Sequence, residues 1–247
     1  GYRTWDAIRG VDYLVSRPEV NAEQLAAVGN SGGGQMALLV TAADERIKVC
    51  AAAHPGGSCE NTYLNGISLS DKEVLSLIAP RPCRFIVGKD SGETHHVPRA
   101  ADMQRFYVGM GYGTDRCEVK WVDGIHDMRQ PKREAAYEWL NRWMGKEADG
   151  TAEAKLEPLT AQQLWCTESG FAVKSLGGAT GQTLNQRRLA EIAPHRVAPA
   201  SAPEAQKQAE TLRKAVLARL GLHVAANRPA PEVRAVREVT GPGFTAQ

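Results

Sequence analysis

Apolar residues recur at helical spacing from the start of the chain. Trp5, Ile8, Val11, Leu14 and Val15 predict an amphipathic helix over residues 4–16, ended by Arg17-Pro18. Leu25-Ala26-Ala27-Val28 reads as a short buried strand, and residues 35–40 as a helix. A second apolar run over 47–53 is a strand that His54-Pro55-Gly56-Gly57 breaks. Residues 71–78 form a short helix, 83–87 a third strand, and 98–110 a helix with Pro98 at its start. Residues 117–122 alternate as a fourth strand, and 131–144 form a helix with Ala135, Trp139, Leu140 and Trp143 on one face. Strands alternating with helices four times predict an α/β fold, a parallel sheet with right-handed crossovers flanked by helices.

The pattern changes from about Gly145. Leu164-Trp165-Cys166-Thr167 and Gly170-Phe171-Ala172-Val173 read as a small hairpin, 192–203 as a Pro/Ala-rich linker and 204–222 as a helix carrying Leu212, Val216 and Leu220. Residues 233–239 read as one more strand. The division expected is therefore 1–146 and 147–247, the second part a small irregular and helical tail.

Composition narrows the function. With 247 residues, 43% hydrophobic and 23% charged, the chain is ordinary globular material. A net charge of +2, with no basic block, speaks against a nucleic-acid surface, and no apolar run approaches the length of a membrane span. The five cysteines form no C-x-x-C pair, so no zinc site is expected; Cys50, Cys83 and Cys117 lie in strand-like runs and read as buried thiols. His95-His96 are adjacent on a loop, where two side chains rarely converge on one ion, so no metal is expected there either.

The chemistry centres on Gly29-Asn30-Ser31-Gly32-Gly33-Gly34, a G-x-S-x-G run between a strand and a helix. Glycines at 29 and 33 are expected where a Cβ would clash with neighbouring backbone. Such a turn holds Ser31 at a positive φ or in another strained region and aims the Gly32 N–H at the place where an oxyanion would form. The other readings are a glycine-rich turn with a bystander serine, or a phosphate loop, which the lack of a following Lys-Ser or Lys-Thr disfavours. Ser31, Asp90 and His126 each fall just past a different strand, where active groups of parallel sheets lie, and in the order Ser, Asp, His. In that reading Ser31 is the nucleophile, His126 the base, and Asp90 the group that orients the imidazole; Glu93, on the same loop, is the rival acid. His54 is a candidate pocket residue. Trp121 and Trp139 read as core.

Residues 3–144 resemble the C-terminal half of an α/β-hydrolase of the dienelactone-hydrolase and acetylxylan-esterase group. The resemblance rests on Asp12-Tyr13-Leu14-Val15-Ser16-Arg17-Pro18-Glu19-Val20, Gly29-Asn30-Ser31-Gly32-Gly33, Ala79-Pro80-Arg81-Pro82, Gly88-Lys89-Asp90 and Gly124-Ile125-His126. Leu159-Thr160, Leu164-Trp165-Cys166-Thr167 and Leu176-Gly177-Gly178 are similar to the junction after the first unit in large bacterial proteins with two hydrolase units. The resemblance implies a cofactor-free serine esterase acting on small-molecule or polysaccharide esters, acetyl groups on carbohydrate above all, in the periplasm or outside the cell. A prolyl-oligopeptidase-like peptidase shares the fold and the triad order, and a non-catalytic truncated module is the reading from another class. A complete member has strands before the serine turn, which also bring a second oxyanion N–H. Here they would precede Gly1, so the expectation is a piece cut at both ends, with residues 25–28 at an edge of the sheet and the first helix partly bare. The oligomeric state is left open.

Overall fold

The computed structural model describes residues 1–56, 62–64, 67–69, 71–145, 151–155, 157–193, 198–222 and 239–246. The chain divides into two compact units, Gly1–Gly181 and Gln182–Gln247. The boundary expected at 146/147 lies outside the described residues, as does most of the strand expected over 233–239.

The first unit holds helix α1 (Tyr2–Val15), strand β1 (Leu25–Asn30), α2 (Gly32–Ala43), β2 (Ile47–Ala53), the hairpin β3 (Thr62–Leu64) and β4 (Ile67–Leu69), and α3 (Asp71–Ser76). These are followed by β5 (Cys83–Gly88), α4 (His96–Gly109), β6 (Cys117–Val122) and α5 (Gln130–Trp143). The main sheet runs β1-β2-β5-β6 with every pair parallel. All four strands and their order agree with the hydrophobic pattern. Strand β1 stands at one edge, and among the described residues only β2 pairs with it.

Side chains alternate between the two faces because the strand repeat is two residues. On β2, Cys50 and Ala52 enter a core with Val11, Leu38, Phe85 and Met103, while Val49, Ala51 and Ala53 enter a second with Ile86, Ala135 and Trp139. Trp139 is fully buried and Trp121 half-buried. Cys50, Cys83 and Cys117 pair in register across three strands and are buried, as expected. Hydrogen bonding with Cys50 and burial hold the Cys83 thiol well above its ordinary range, and burial pushes that of Cys117 up to about 12. Only Val11 of α1 is buried, leaving Trp5, Tyr13 and Leu14 exposed.

Arg84 is a charge in the second core, 1% exposed, so it needs partners on every side. It donates to Ala135 O at 2.7 Å, pairs with Glu138 at 2.8 Å and Glu118 at 2.5 Å, and lies 4.4 Å from the Trp139 ring. These contacts fasten α5 to the sheet, and α5 begins just after His126.

Where a hairpin was expected, the chain instead forms two short helices, α6 (Ala161–Leu164) and α7 (Ala172–Leu176). A capping box opens α6: the Thr160 hydroxyl accepts from Gln163 N–H, and Gln163 Oε1 accepts from Thr160 N–H at 2.9 Å. The bracketing end of the unit opens α8 (Gly181–Ile192). In the second unit, α9 (Ala202–Arg219) starts at Ser201, whose hydroxyl accepts from Glu204 N–H, and β7 (Val239–Gly241) pairs antiparallel with β8 (Phe244–Ala246).

Candidate functional site

Register brings the site together. Asn30 pairs with Ala53, Ala53 with Ile86, and Gly88 with Val122, so the carboxyl ends of all four strands lie within two residues of one another along the sheet. The residues that follow, Ser31, His54, the loop from Lys89 and the loop from Asp123, meet along one end of the sheet.

Ser31 turns the chain from β1 into α2 at φ 57 and ψ −120. Its N–H donates to Ala53 O at 2.9 Å, and its carbonyl accepts from Gly56 N–H at 3.0 Å. A Cβ on Gly29 would lie 2.2 Å from Gly33 O, so only glycine fits there. The second crowded position is Gly34, whose Cβ would lie 2.6 Å from Ala53 O. Gly33, where a clash was expected, has open space; its backbone, not its missing side chain, does the crowding. Gly32 opens α2, and the amides of a helix's first turn have no acceptor within the helix.

The structure pairs His126 with Glu93, not with Asp90. Asp90 lies in a 3-10 turn directly after β5; its N–H donates to Gly124 O at 3.2 Å, and its side chain faces solvent. Gly92, at φ 71, then reverses the chain. Ser91 braces the turn by donating to Gly88 O at 2.8 Å and accepting from Glu93 N–H at 3.3 Å. The first carboxylate able to face inward is therefore Glu93.

Glu93 is the hub of three imidazoles. Its Oε1 lies 2.5 Å from His126 Nδ1, and its Oε2 lies 2.9 Å from His54 Nδ1 and 3.2 Å from His96 Nε2. Proton positions follow from the opposite ring atoms. Gly88 N–H donates to His54 Nε2 at 3.1 Å, so neutral His54 carries its proton on Nδ1 and donates it to Glu93. An Arg99 N–H faces His96 Nδ1 at 3.3 Å, so His96 donates to Glu93 from Nε2. With Nδ1 of His126 engaged by Glu93, Nε2 is left for a proton-transfer partner. No hydrogen bond joins His126 to Ser31 among the described residues.

The His126 loop is held from two sides. A Cβ on Gly88 would fall 2.1 Å from Gly124 O, so β5 and the loop touch backbone to backbone. Buried Lys132 donates to Ile125 O and to Asp127 Oδ1, both at 2.6 Å. Below the loop, the His54 and His126 rings stack with centroids 4.5 Å apart.

Among the described residues two ligand sets are close enough for a metal, His54 with Glu93 and His126, and Glu93 with His95 and His96. Neither fits. A metal on His54 Nδ1 would drive that proton to Nε2, against the Gly88 N–H, and a metal on His96 Nε2 would drive it against Arg99.

Burial alone would raise the Glu93 carboxyl, but the bonds from His126, His54 and His96 outweigh it and lower it to about 2. Burial, and then the neighbouring His95, lower His96 to about 4. Acidification therefore destabilises the fold twice. Between the ordinary value of 6.5 and about 4, the unfolded chain binds a proton at residue 96 that the folded one refuses. Between 4.5 and about 2 the same holds at Glu93. Urea midpoints are expected to fall from pH 7 to pH 4, and His96→Gln to flatten the part of that slope above pH 4.

Sequence reasoning missed that His54 and His96 converge with His126 on one carboxylate. The available signals were a histidine ending an all-buried alanine run, and Ser91-Gly92 ahead of Glu93.

A model of the prolyl oligopeptidase family matches residues 2–80, which carry the Ser31 turn and His54. The solved methylesterase BT1017 superposes with a TM-score of 0.52 at 24% identity, over 64% of this chain and 38% of that one. The chain has an α/β-hydrolase fold. The chain is 33% identical over 162 residues to the putative hydrolase YtaP of Bacillus subtilis (strain 168), a match covering 58% of this chain and 54% of YtaP. It is 34% identical over 58 residues to the acetyl esterase Axe7A of Xylanibacter ruminicola, covering 24% of this chain and 13% of that protein. The chain thus spans about half the length of YtaP and less of the acetyl esterase.

Proposed function

We propose that the protein is a serine hydrolase of carboxylic esters, with Ser31, His126 and Glu93 as its catalytic set. The observation that carries this reading is the His126 Nδ1–Glu93 Oε1 bond, at the same sheet end as a serine held at positive φ. Ser31 Oγ attacks the ester carbonyl and His126 Nε2 takes its proton. Glu93 fixes the imidazole through Nδ1 and stabilises the imidazolium that forms. The Gly32 N–H donates to the oxyanion, a contact worth about 3 kcal/mol of barrier for such donors. The tetrahedral intermediate then expels the alcohol, which leaves with the proton from His126. Water, deprotonated by His126, attacks the acyl-Ser31 carbonyl, and collapse releases the acid and restores the serine. Asn30, Gly29 and Gly33 shape the turn.

The substrate class we propose is acetylated carbohydrate, supported by the likeness to an acetyl esterase. The prolyl oligopeptidase match over residues 2–80 favours a second reading, a serine peptidase with the same residues. Turnover of acetylated xylo-oligosaccharides beside proline-containing peptides by the full-length protein separates the two. Ester hydrolysis that Ser31→Ala abolishes supports the first, and peptide cleavage with no ester turnover replaces it.

A further inference from the structure

His54 has no role in the reaction just described, yet it is fully buried, sits at φ 41 and has both ring nitrogens engaged. A non-glycine residue held there is strained and persists only where its surroundings impose it. Its N–H donates to Ile86 O at 2.9 Å, which ties it to β5 as well as to β2.

The three partners of Glu93 differ in where they come from. His96 lies three residues further along the same segment, its buried ring stacked on Phe85 at 5.9 Å without a hydrogen bond to the described residues of the sheet. His126 is the group to be oriented. Among the described residues, His54 is the only partner of the Glu93 side chain that is hydrogen-bonded to a strand of the sheet, through Gly88 N–H and Ile86 O. Fixing a glutamate side chain costs rotamer freedom that a rigid donor offsets. His54 supplies that donor from a buried strand end, and occupying Oε2 leaves Oε1 to His126. The Gly88 N–H occupies His54 Nε2, which leaves Nδ1–H as the donor to Glu93, and the ring stacks on His126 with centroids 4.5 Å apart.

We propose that His54 is a positioning residue for the hydrolase reaction, holding Glu93 through its Nδ1–H bond so that the carboxylate presents Oε1 to His126. This rests on the reading of Ser31, His126 and Glu93 given above. Two substitutions divide the ring's two bonds. In His54→Asn the amide nitrogen occupies the place of Nδ1 and donates to Glu93; asparagine also tolerates positive φ. In His54→Gln the amide oxygen occupies the place of Nε2 and accepts from Gly88, while Glu93 loses its donor. Both lose the ring and its stack.

The test is kcat and KM for both variants in the full-length protein, with Ser31→Ala as control. The expected result is a kcat on the order of 10²-fold lower in His54→Gln, the loss typical of a misplaced catalytic group, with KM little changed. His54→Asn should remain within about ten-fold of wild type, since its donor keeps Glu93 in place. Equal losses in the two, or the better activity in His54→Gln, would show a packing role only and overturn the proposal. A second readout needs no turnover: the far-downfield proton of the His126 Nδ1–Glu93 bond, followed by NMR in the Ser31→Ala background. It should persist in His54→Asn and shift or vanish in His54→Gln; persistence in both overturns the proposal. Should Ser31→Ala leave turnover intact, the hydrolase reading fails, and this proton still decides whether His54 positions Glu93.

Discussion

Glu93→Gln is expected to lower kcat by about four orders of magnitude, because an amide in place of the carboxylate neither stabilises the imidazolium nor holds the right tautomer of His126. Asp90→Asn is expected to leave turnover within about two-fold of wild type, as exposed residues outside the reacting geometry usually do. The contrast is informative because the two residues lie three apart on one loop and either fits the chain order of the fold. Asp90 is turned to solvent by a 3-10 turn, whereas Glu93 follows the reversal at Gly92 and accepts from three imidazoles. Steady-state kinetics of the two variants settle which carboxylate serves His126; the opposite ranking would return the role to Asp90.

Gly88→Ala should be, with Gly29→Ala, among the most damaging small substitutions in the sheet. The added methyl would meet Gly124 O at 2.1 Å and Ile125 O at 2.7 Å, and both are backbone atoms that no rotamer change can move. The His126 loop must lift away, which strains its bonds to Lys132 and shifts His126 against Glu93. The expected cost is about 3 kcal/mol of stability, the upper end for overpacking, and a fall in kcat on the order of 10²-fold. Gly10→Ala is the control. Its Cβ meets nothing within 4 Å in the middle of α1, so it should stabilise by about 0.5–1 kcal/mol. Urea unfolding of both proteins gives the two signs; a wild-type midpoint for Gly88→Ala would contradict the backbone contact.

The fold was largely legible because it depends on local periodicity. Each of the four strands is a short apolar run with a helix after it, and a parallel sheet follows from that alternation alone. The serine turn was legible for the same reason: its glycines, its position and its strained φ are properties of one segment. The misread positions depend on contacts between segments or on turn geometry. Gly33 and Gly34 look alike in sequence, and only the approach of Ala53 O distinguishes them. Asp90 and Glu93 are equivalent until Gly92 reverses the chain. His54 joins the site because Ala53 pairs with Ile86, a register no single strand encodes. Residues 164–167 and 170–173 read as a hairpin from their apolar runs, but Thr160 and Gln163 form a box that opens a helix reaching Leu164, and Ala172–Leu176 winds into another.

The central claim is that Ser31 is a nucleophile activated by a histidine that Glu93 orients. It is tested most directly by treating the full-length protein with a fluorophosphonate, in which the serine oxygen displaces fluoride from phosphorus, and mapping the adduct by peptide mass spectrometry. A single adduct on Ser31, absent from the heat-denatured protein and strongly slowed in both His126→Ala and Glu93→Gln, is the result the account predicts. An unmodified Ser31, or labelling that proceeds as fast without His126, would contradict it.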